Sequence, residues 1–144
     1  MGKMSLDDII VTPLKRIPTG GGDVLHAIKK SDNGFNGFGE IYFSWVEQGV
    51  IKAWKLHKRM TMNLIVPLGK VRFVFHLANP QNVIRVESIG MESYARLTVP
   101  PGVWFGFQGE ASGNSLLTNV ADMVHDPEEV VKKSVSEFTF DWCL

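Results

Sequence analysis

The sequence predicts an all-β domain, an antiparallel sandwich or barrel, on three observations. Short runs rich in Val, Ile, Phe, Tyr, Trp and Thr recur along the chain, turn-forming clusters separate them at near-regular spacing, and helical periodicity is scarce. The opening SLDDII carries a short helix-start signal, with Ser5 as an N-cap and Asp7 and Asp8 in the first turn. The strands then run IYFSWV, VIKAWKL, MNLIVPL, KVRFVFHL, NVIRVESI, YARLTV, VWFGFQ and LLTNVADMV. Between them stand the turn formers SDNGFNGFG, EQG, PLGK, ANPQN, GMES, PPG and EASGN. KVRFVFHL shows how the faces divide: Val71, Phe73, Phe75 and Leu77 point one way, and Lys70, Arg72, Val74 and His76 the other. NVIRVESI repeats the pattern with Arg85 and Glu87 on its polar side. Both read as half-buried strands with a wet face, so His76 is expected on the surface. Near the C-terminus, DPEEVVKK predicts a short helix, with Asp126 as cap, Pro127 at the first helical position and Lys132 and Lys133 in the last turn.

The chain has 144 residues, enough for one domain with a sizeable core. Its hydrophobic fraction of 44% and charged fraction of 21% are those of an ordinary globular protein. Fifteen acidic residues balance fifteen basic ones, leaving no net field to attract nucleic acid or an anionic membrane. The longest apolar runs, LIVPL and FVFHLA, are too short to cross a bilayer as a helix. Asp7 and Asp8 interrupt the apolar start, which argues against a signal peptide. With Cys143 as the single cysteine, no intrachain disulfide can form, and the expected home is the cytoplasm.

One stretch, KAWKLHK at residues 52–58, sets Lys52, Lys55, His57 and Lys58 at short intervals inside an apolar strand. It fits a metal site, a general-base site or a solvated strand face. The frame around it is informative. Gly49, Lys55-x-His57, Met62 and Gly69 stand at the spacing of the first sequence motif of the cupins, which has His-x-His and a Glu at the three inner positions. PPGVWF resembles the second cupin motif, with Pro100 and Gly102 kept and Phe105 where its histidine belongs. NGFGEIYFS, GVIKAWKLHK, VPLGKV, VPPGVWFGF and the closing FTFDW further resemble the nucleotide-sugar branch, the cupins similar to dTDP-4-dehydrorhamnose 3,5-epimerase and the sugar 3,4-ketoisomerases. The resemblance runs from about Phe35 to Trp142. It implies a single cupin-type antiparallel jelly-roll barrel over residues 1–144, a nucleotide-sugar ligand, and a homodimer, often with a strand lent across the interface.

A cupin metal site takes about three His and one carboxylate. Lys55, His57, Met62 and Phe105 occupy those four places here, so no metal and no cofactor are expected. Epimerisation beside a keto group instead needs a base, a donor or cation for the enolate, and a proton for the opposite face. In the family a His–Tyr pair does this, with Arg and Lys lining the pocket. Aligned on Gly49, the resemblance puts Lys52 in the place of the Arg, Lys55 in the place of the base and Asn63 near the pocket Lys. The family tyrosine belongs near TNVAD, where none occurs; Tyr42 and Tyr94 lie elsewhere.

The site expectation is therefore Lys55 as base or enolate stabiliser, its pKa lowered by burial, with His57 as its partner on the same strand face. The alternative is that both bind an anionic ligand or are plain strand residues at the barrel mouth. Lys52 faces away from Lys55 by strict alternation unless a bulge intervenes. By resemblance, Phe38 and Glu40 contact the nucleotide, with Lys52 and Asn63 as further substrate-binding residues, while Lys58 and Arg59 are candidate diphosphate contacts. Trp104 and Phe105 are expected as core or pocket wall. Two functions stand open: an epimerase or isomerase of a dTDP-linked 4-keto-6-deoxyhexose in surface polysaccharide synthesis, or an inactive relative that binds a nucleotide sugar or serves a structural role.

Overall fold

The computed structural model describes residues 4–77 and 83–143. The chain starts with a single 3-10 turn, Leu6–Asp8, closed by the predicted Ser5 cap: Ser5 Oγ accepts from the Asp7 N–H, and the Ser5 N–H donates to Asp8. The β-branched run that follows stops the turn from lengthening and forms β1, Ile10–Pro13. β2 (Arg16–Ile17) and β3 (Val24–Leu25) make a small hairpin. The eight runs read from the sequence then appear as β4 (Glu40–Val46), β5 (Ile51–His57), β6 (Met62–Leu68), β7 (Lys70–His76), β8 (Ile84–Gly90), β9 (Ala95–Val99), β10 (Trp104–Gly109) and β11 (Ser115–Ala121). The ANPQN turn and the first residue of NVIRVESI lie outside the described residues.

Two five-stranded antiparallel sheets, ordered β1-β9-β6-β11-β4 and β12-β5-β10-β7-β8, face each other as a jelly roll. β12 is Val130–Lys132. Their inner faces bury Leu64, Val66, Phe73, Phe75, Leu97 and Leu117 in one core. Gly49 and Gly69, which precede β5 and follow β6, both hold the left-handed backbone that the motif glycines serve, at φ +77° and +86°. At Gly69 a side chain is doubly excluded, since its Cβ would fall 2.8 Å from the Ser115 Cα.

Two expectations are corrected. DPEEVVKK is not a helix: Asp126 caps one 3-10 turn, Pro127–Glu129, and the chain then turns extended as β12. The paired valines favour a strand, and the open edge of β5 supplies the hydrogen bonds a short helix would have to find within itself. Nor is the second face of β7 wet beyond its first residue, Lys70. Val74 is fully buried and His76 is 4% exposed, its ring stacked on Phe138 at 4.3 Å. The C-terminal segment crosses the outside of the second sheet, where Phe138, Phe140 and Trp142 close over Trp54, Val74 and Trp104 in a second apolar cluster. Arg72 lies under this segment, 5.7 Å from the Phe140 ring and hydrogen-bonded to the Trp142 carbonyl. An amphipathic pattern shows that one face is polar enough to be wet; it does not show what later chain comes to cover it.

Candidate functional site

β5 carries the site, and a bulge shapes it. Phe105 of β10 pairs with Lys55 and the next residue, Gly106, pairs with Ala53, which leaves Trp54 as an extra residue. Gly106 has no side chain because a Cβ there would lie 2.6 Å from the Cβ of Ala53. Trp54 turns outward into the second cluster, its indole N–H donating to the Val135 carbonyl. The extra residue resets the alternation, so Lys52 and Lys55 line one cleft although three positions apart.

His57 ends β5 and points into the barrel. An inner cavity of ≈ 140 Å³ is lined by Lys55, His57, Met62 and Phe105, the four cupin-motif positions, together with Tyr42, Asn119, His125 and Lys132. The Phe105 ring stacks on the His57 ring at 5.7 Å and 15°. Trp54 and Trp104 do not fill the cavity; both belong to the outer cluster.

His57 Nδ1 is hydrogen-bonded to Glu129, whose side chain is wholly buried. Glu129 also accepts the backbone N–H groups of Arg59 at 3.1 Å and Met60 at 3.2 Å. Burial alone would raise the Glu129 pKa. The hydrogen bond from His57, the two backbone donors and the charge of His57 together outweigh it and hold the carboxyl below its ordinary value. A carboxylate at Nδ1 puts the imidazole proton there and leaves Nε2 as the basic nitrogen. Local pattern does not reveal Glu129, because DPEEVVKK predicts a helix and forms a 3-10 turn followed by a strand. The signal was a Pro-Glu-Glu turn running into paired valines, which sets the second Glu at the foot of an edge strand.

Tyr42 stands on the facing sheet. β4 pairs with β11 so that Tyr42 is directly opposite Asn119, and the phenolic oxygen accepts the Asn119 amide N–H at 2.9 Å. The TNVAD stretch thus brings in a tyrosine without containing one: its asparagine orients Tyr42 from the neighbouring strand. Alternation along β4, with Tyr42 and Ser44 on one face, was the available signal.

Burial, followed by the charges of Lys132 and Lys52, lowers the Lys55 pKa. Lys52 lies in the adjoining cleft and donates to the Trp45 carbonyl at 3.3 Å. The remaining expected residues lie apart from the cavity. Glu40 accepts the backbone N–H of His125 at 2.9 Å, so it fixes a loop that lines the cavity. Phe38 is 63% exposed ahead of β4. Asn63 is buried on the other face of β6, with its amide oxygen bound to Thr98 and its amide nitrogen to the Gly34 carbonyl. Arg59 is taken up by Asp126 at 2.7 Å and braces the 3-10 turn that carries Glu129.

No protein-family model matches this sequence, and no curated protein does. Solved structures do. The dTDP sugar isomerase from Desulfovibrio desulfuricans G20 is 31% identical, with a TM-score of 0.87 over 93% of this chain and 90% of that one. The sugar 3,4-ketoisomerase QdtA from Thermoanaerobacterium thermosaccharolyticum, solved in complex with TDP, is 18% identical at a TM-score of 0.75, covering 90% of each chain. The dTDP-4-dehydrorhamnose 3,5-epimerase from Sulfolobus tokodaii is 20% identical at a TM-score of 0.79, covering 96% of this chain and 84% of that one. The last two share the fold with this chain.

Proposed function

This chain belongs to the dTDP-4-dehydrorhamnose 3,5-epimerase-like cupins, the nucleotide-sugar epimerases and ketoisomerases, and from that premise we propose that it enolises a dTDP-linked 4-keto-6-deoxyhexose. The observation that carries this reading is one cavity with a carboxylate-held imidazole on one wall and an amide-held phenol on the other. His57 Nε2 takes the proton from the carbon beside the keto group, and the electron pair of that C–H bond moves to the carbonyl as an enolate. Glu129 keeps Nδ1 protonated and balances the imidazolium that forms. In epimerisation Tyr42 gives its proton to the opposite face of that carbon, and the imidazolium proton returns to the phenolate through water. In ketoisomerisation Tyr42 protonates the keto oxygen, its phenolate takes the proton of the neighbouring hydroxyl, and the imidazolium gives its proton to the former keto carbon. The relative with 31% identity is named a dTDP sugar isomerase, a class that includes both outcomes.

The finer expectations fit the same reading. A nucleotide-activated 6-deoxyhexose is material for surface polysaccharide, and the single, exposed Cys143 suits a reducing cytoplasm. A homodimer is supported by β4, an edge strand whose outer face leaves Ile41 48%, Phe43 63% and Trp45 58% exposed. A second copy laid on this face would cover it, as isologous pairing requires.

The test is deuterium wash-in followed by proton NMR, with a dTDP-4-keto-6-deoxyhexose in heavy water. Loss of the proton signal next to the keto group, dependent on His57, is expected. Wild-type protein that binds the sugar and exchanges no proton would sink the reading.

A further inference from the structure

Asn119 stands on β11, between β6 and β4, and is 3% exposed. Its neighbours on both sides fix which way its amide lies. The Asn63 backbone N–H on β6 can only donate, and it meets Asn119 Oδ1 at 3.2 Å. The amide nitrogen is thereby turned the other way, where it donates to Tyr42 Oη at 2.9 Å and lies 3.8 Å from Met60 Sδ. A flipped amide would set its NH2 group against the Asn63 N–H, so the orientation is one-way.

Tyr42 is therefore the acceptor in this bond. A phenol oxygen has one proton to give, and it receives the Asn119 N–H on a lone pair, so its own proton is left over. Tyr42 Oη hydrogen-bonds no other residue among those described, and Tyr42 and Asn119 both line the cavity of His57. In either outcome of the reaction Tyr42 gives up its proton and stands for part of the cycle as a phenolate. A buried donor already aimed at that oxygen steadies the anion without rearranging when it forms. A carboxylate in the same place would take the phenol's proton for itself and oppose the charge.

We propose that Asn119 is a positioning residue for the proton that Tyr42 transfers: its locked amide aims the hydroxyl proton into the cavity and holds the phenolate that follows. The role rests on the reading of Tyr42 as the acid above. The same support reaches the base. Met60, whose sulfur backs the Asn119 amide, donates its backbone N–H to Glu129 at 3.2 Å, so acid and base are braced through one buried residue.

Proton NMR with a dTDP-4-keto-6-deoxyhexose in heavy water tests this by following deuterium wash-in and product formation side by side. The proteins are this chain, Asn119→Asp and Asn119→Ala, each with and without Tyr42→Phe. Asn119→Asp keeps the shape and the acceptor for the Asn63 N–H but replaces the donor with an anion. It should slow product formation about 10²-fold through kcat, as Tyr42→Phe does, with wash-in kept within about tenfold. Asn119→Ala removes the donor and adds no charge, so it should cost about tenfold, the weight of one hydrogen bond to a charged group. A purely structural role predicts the reverse order, because the alanine leaves a gap and an orphaned N–H. Combined with Tyr42→Phe, neither Asn119 variant should slow product formation further. Melting temperature and dTDP affinity report whether each variant is folded. If Asn119→Asp does not fold, Asn119→Ala with and without Tyr42→Phe decides. Asn119→Asp no slower than Asn119→Ala, or losses that add to that of Tyr42→Phe, would overturn the role. The two readings fail separately. Wild-type protein that exchanges no proton removes the reaction and this role with it; exchange and turnover indifferent to Asn119 remove the role alone.

Discussion

His57 Nδ1 and the Glu129 carboxylate meet across 72 residues of sequence, and this pair decides which side chain in the barrel can act as a base. Lys55 occupies the motif position of the family's histidine, but it has lysine neighbours where a base needs an orienting acid. His57→Asn should reduce proton exchange by about 10²–10⁴-fold, the usual weight of a general base. Glu129→Gln should produce an intermediate loss, because the imidazole keeps its place and loses the partner that fixes its tautomer. Isotope wash-in at saturating substrate measures both.

The same carboxylate makes the fold acid-sensitive. Glu129 has a folded pKa below the ordinary 4.5, so the unfolded chain binds the proton more readily. Its stabilisation is fully present above pH 4.5 and is lost as the pH falls from there through the folded value. Urea unfolding between neutral and acid pH should show this decline, and Glu129→Gln should flatten it while lowering stability at neutral pH.

Tyr42 should separate the two halves of the reaction. With Tyr42→Phe, His57 still removes the proton, so wash-in at the first carbon should persist within about tenfold, while product forms about 10²-fold more slowly. Equal loss of exchange and product would mean that Tyr42 serves binding or the first proton transfer instead.

Lys55 should lower the stability of the fold. Burial, and after it the charges of Lys132 and Lys52, lower its folded pKa from 10.5, so the folded state disfavours the charged form. That penalty is complete at low pH and disappears as the pH rises from the folded value to 10.5. Lys55→Met should therefore raise Tm at pH 7. Thermal unfolding of the two proteins between pH 7 and 10 checks the sign: the gap should narrow with rising pH.

The outer face of β4 predicts the assembly. Phe43→Glu puts a charge among the exposed Ile41, Phe43 and Trp45 and should shift a homodimer to monomer in light scattering, with the far-UV spectrum unchanged. A monomeric wild type would remove the dimer.

Eight strands, the glycine frame and the family were legible in the sequence because they rest on local signals: period-two alternation, turn residues, and glycines at positive φ. His57 was legible for the same reason, as a motif position. Two features of the strands were not. The outer face of β7 looked wet, since no pattern within β7 records that Phe138 and Trp142 cross it more than sixty residues later. Lys52 could be joined to Lys55 only by a bulge, and a bulge is fixed by cross-strand register, here by Gly106 yielding to Ala53.

Glu129 and Tyr42 show the division most clearly. The sequence determined a cupin barrel, a histidine facing its interior, and the loss of the usual metal and base residues from the motif. Tertiary structure decided that the histidine has a carboxylate, that a tyrosine faces it from another strand, and that Lys52, Lys55 and Lys132 line a cleft beside them. The physical reason is one of range. Alternation and turn chemistry act between near neighbours along the chain, whereas a site's electrostatics are set by side chains that antiparallel pairing brings together from far apart.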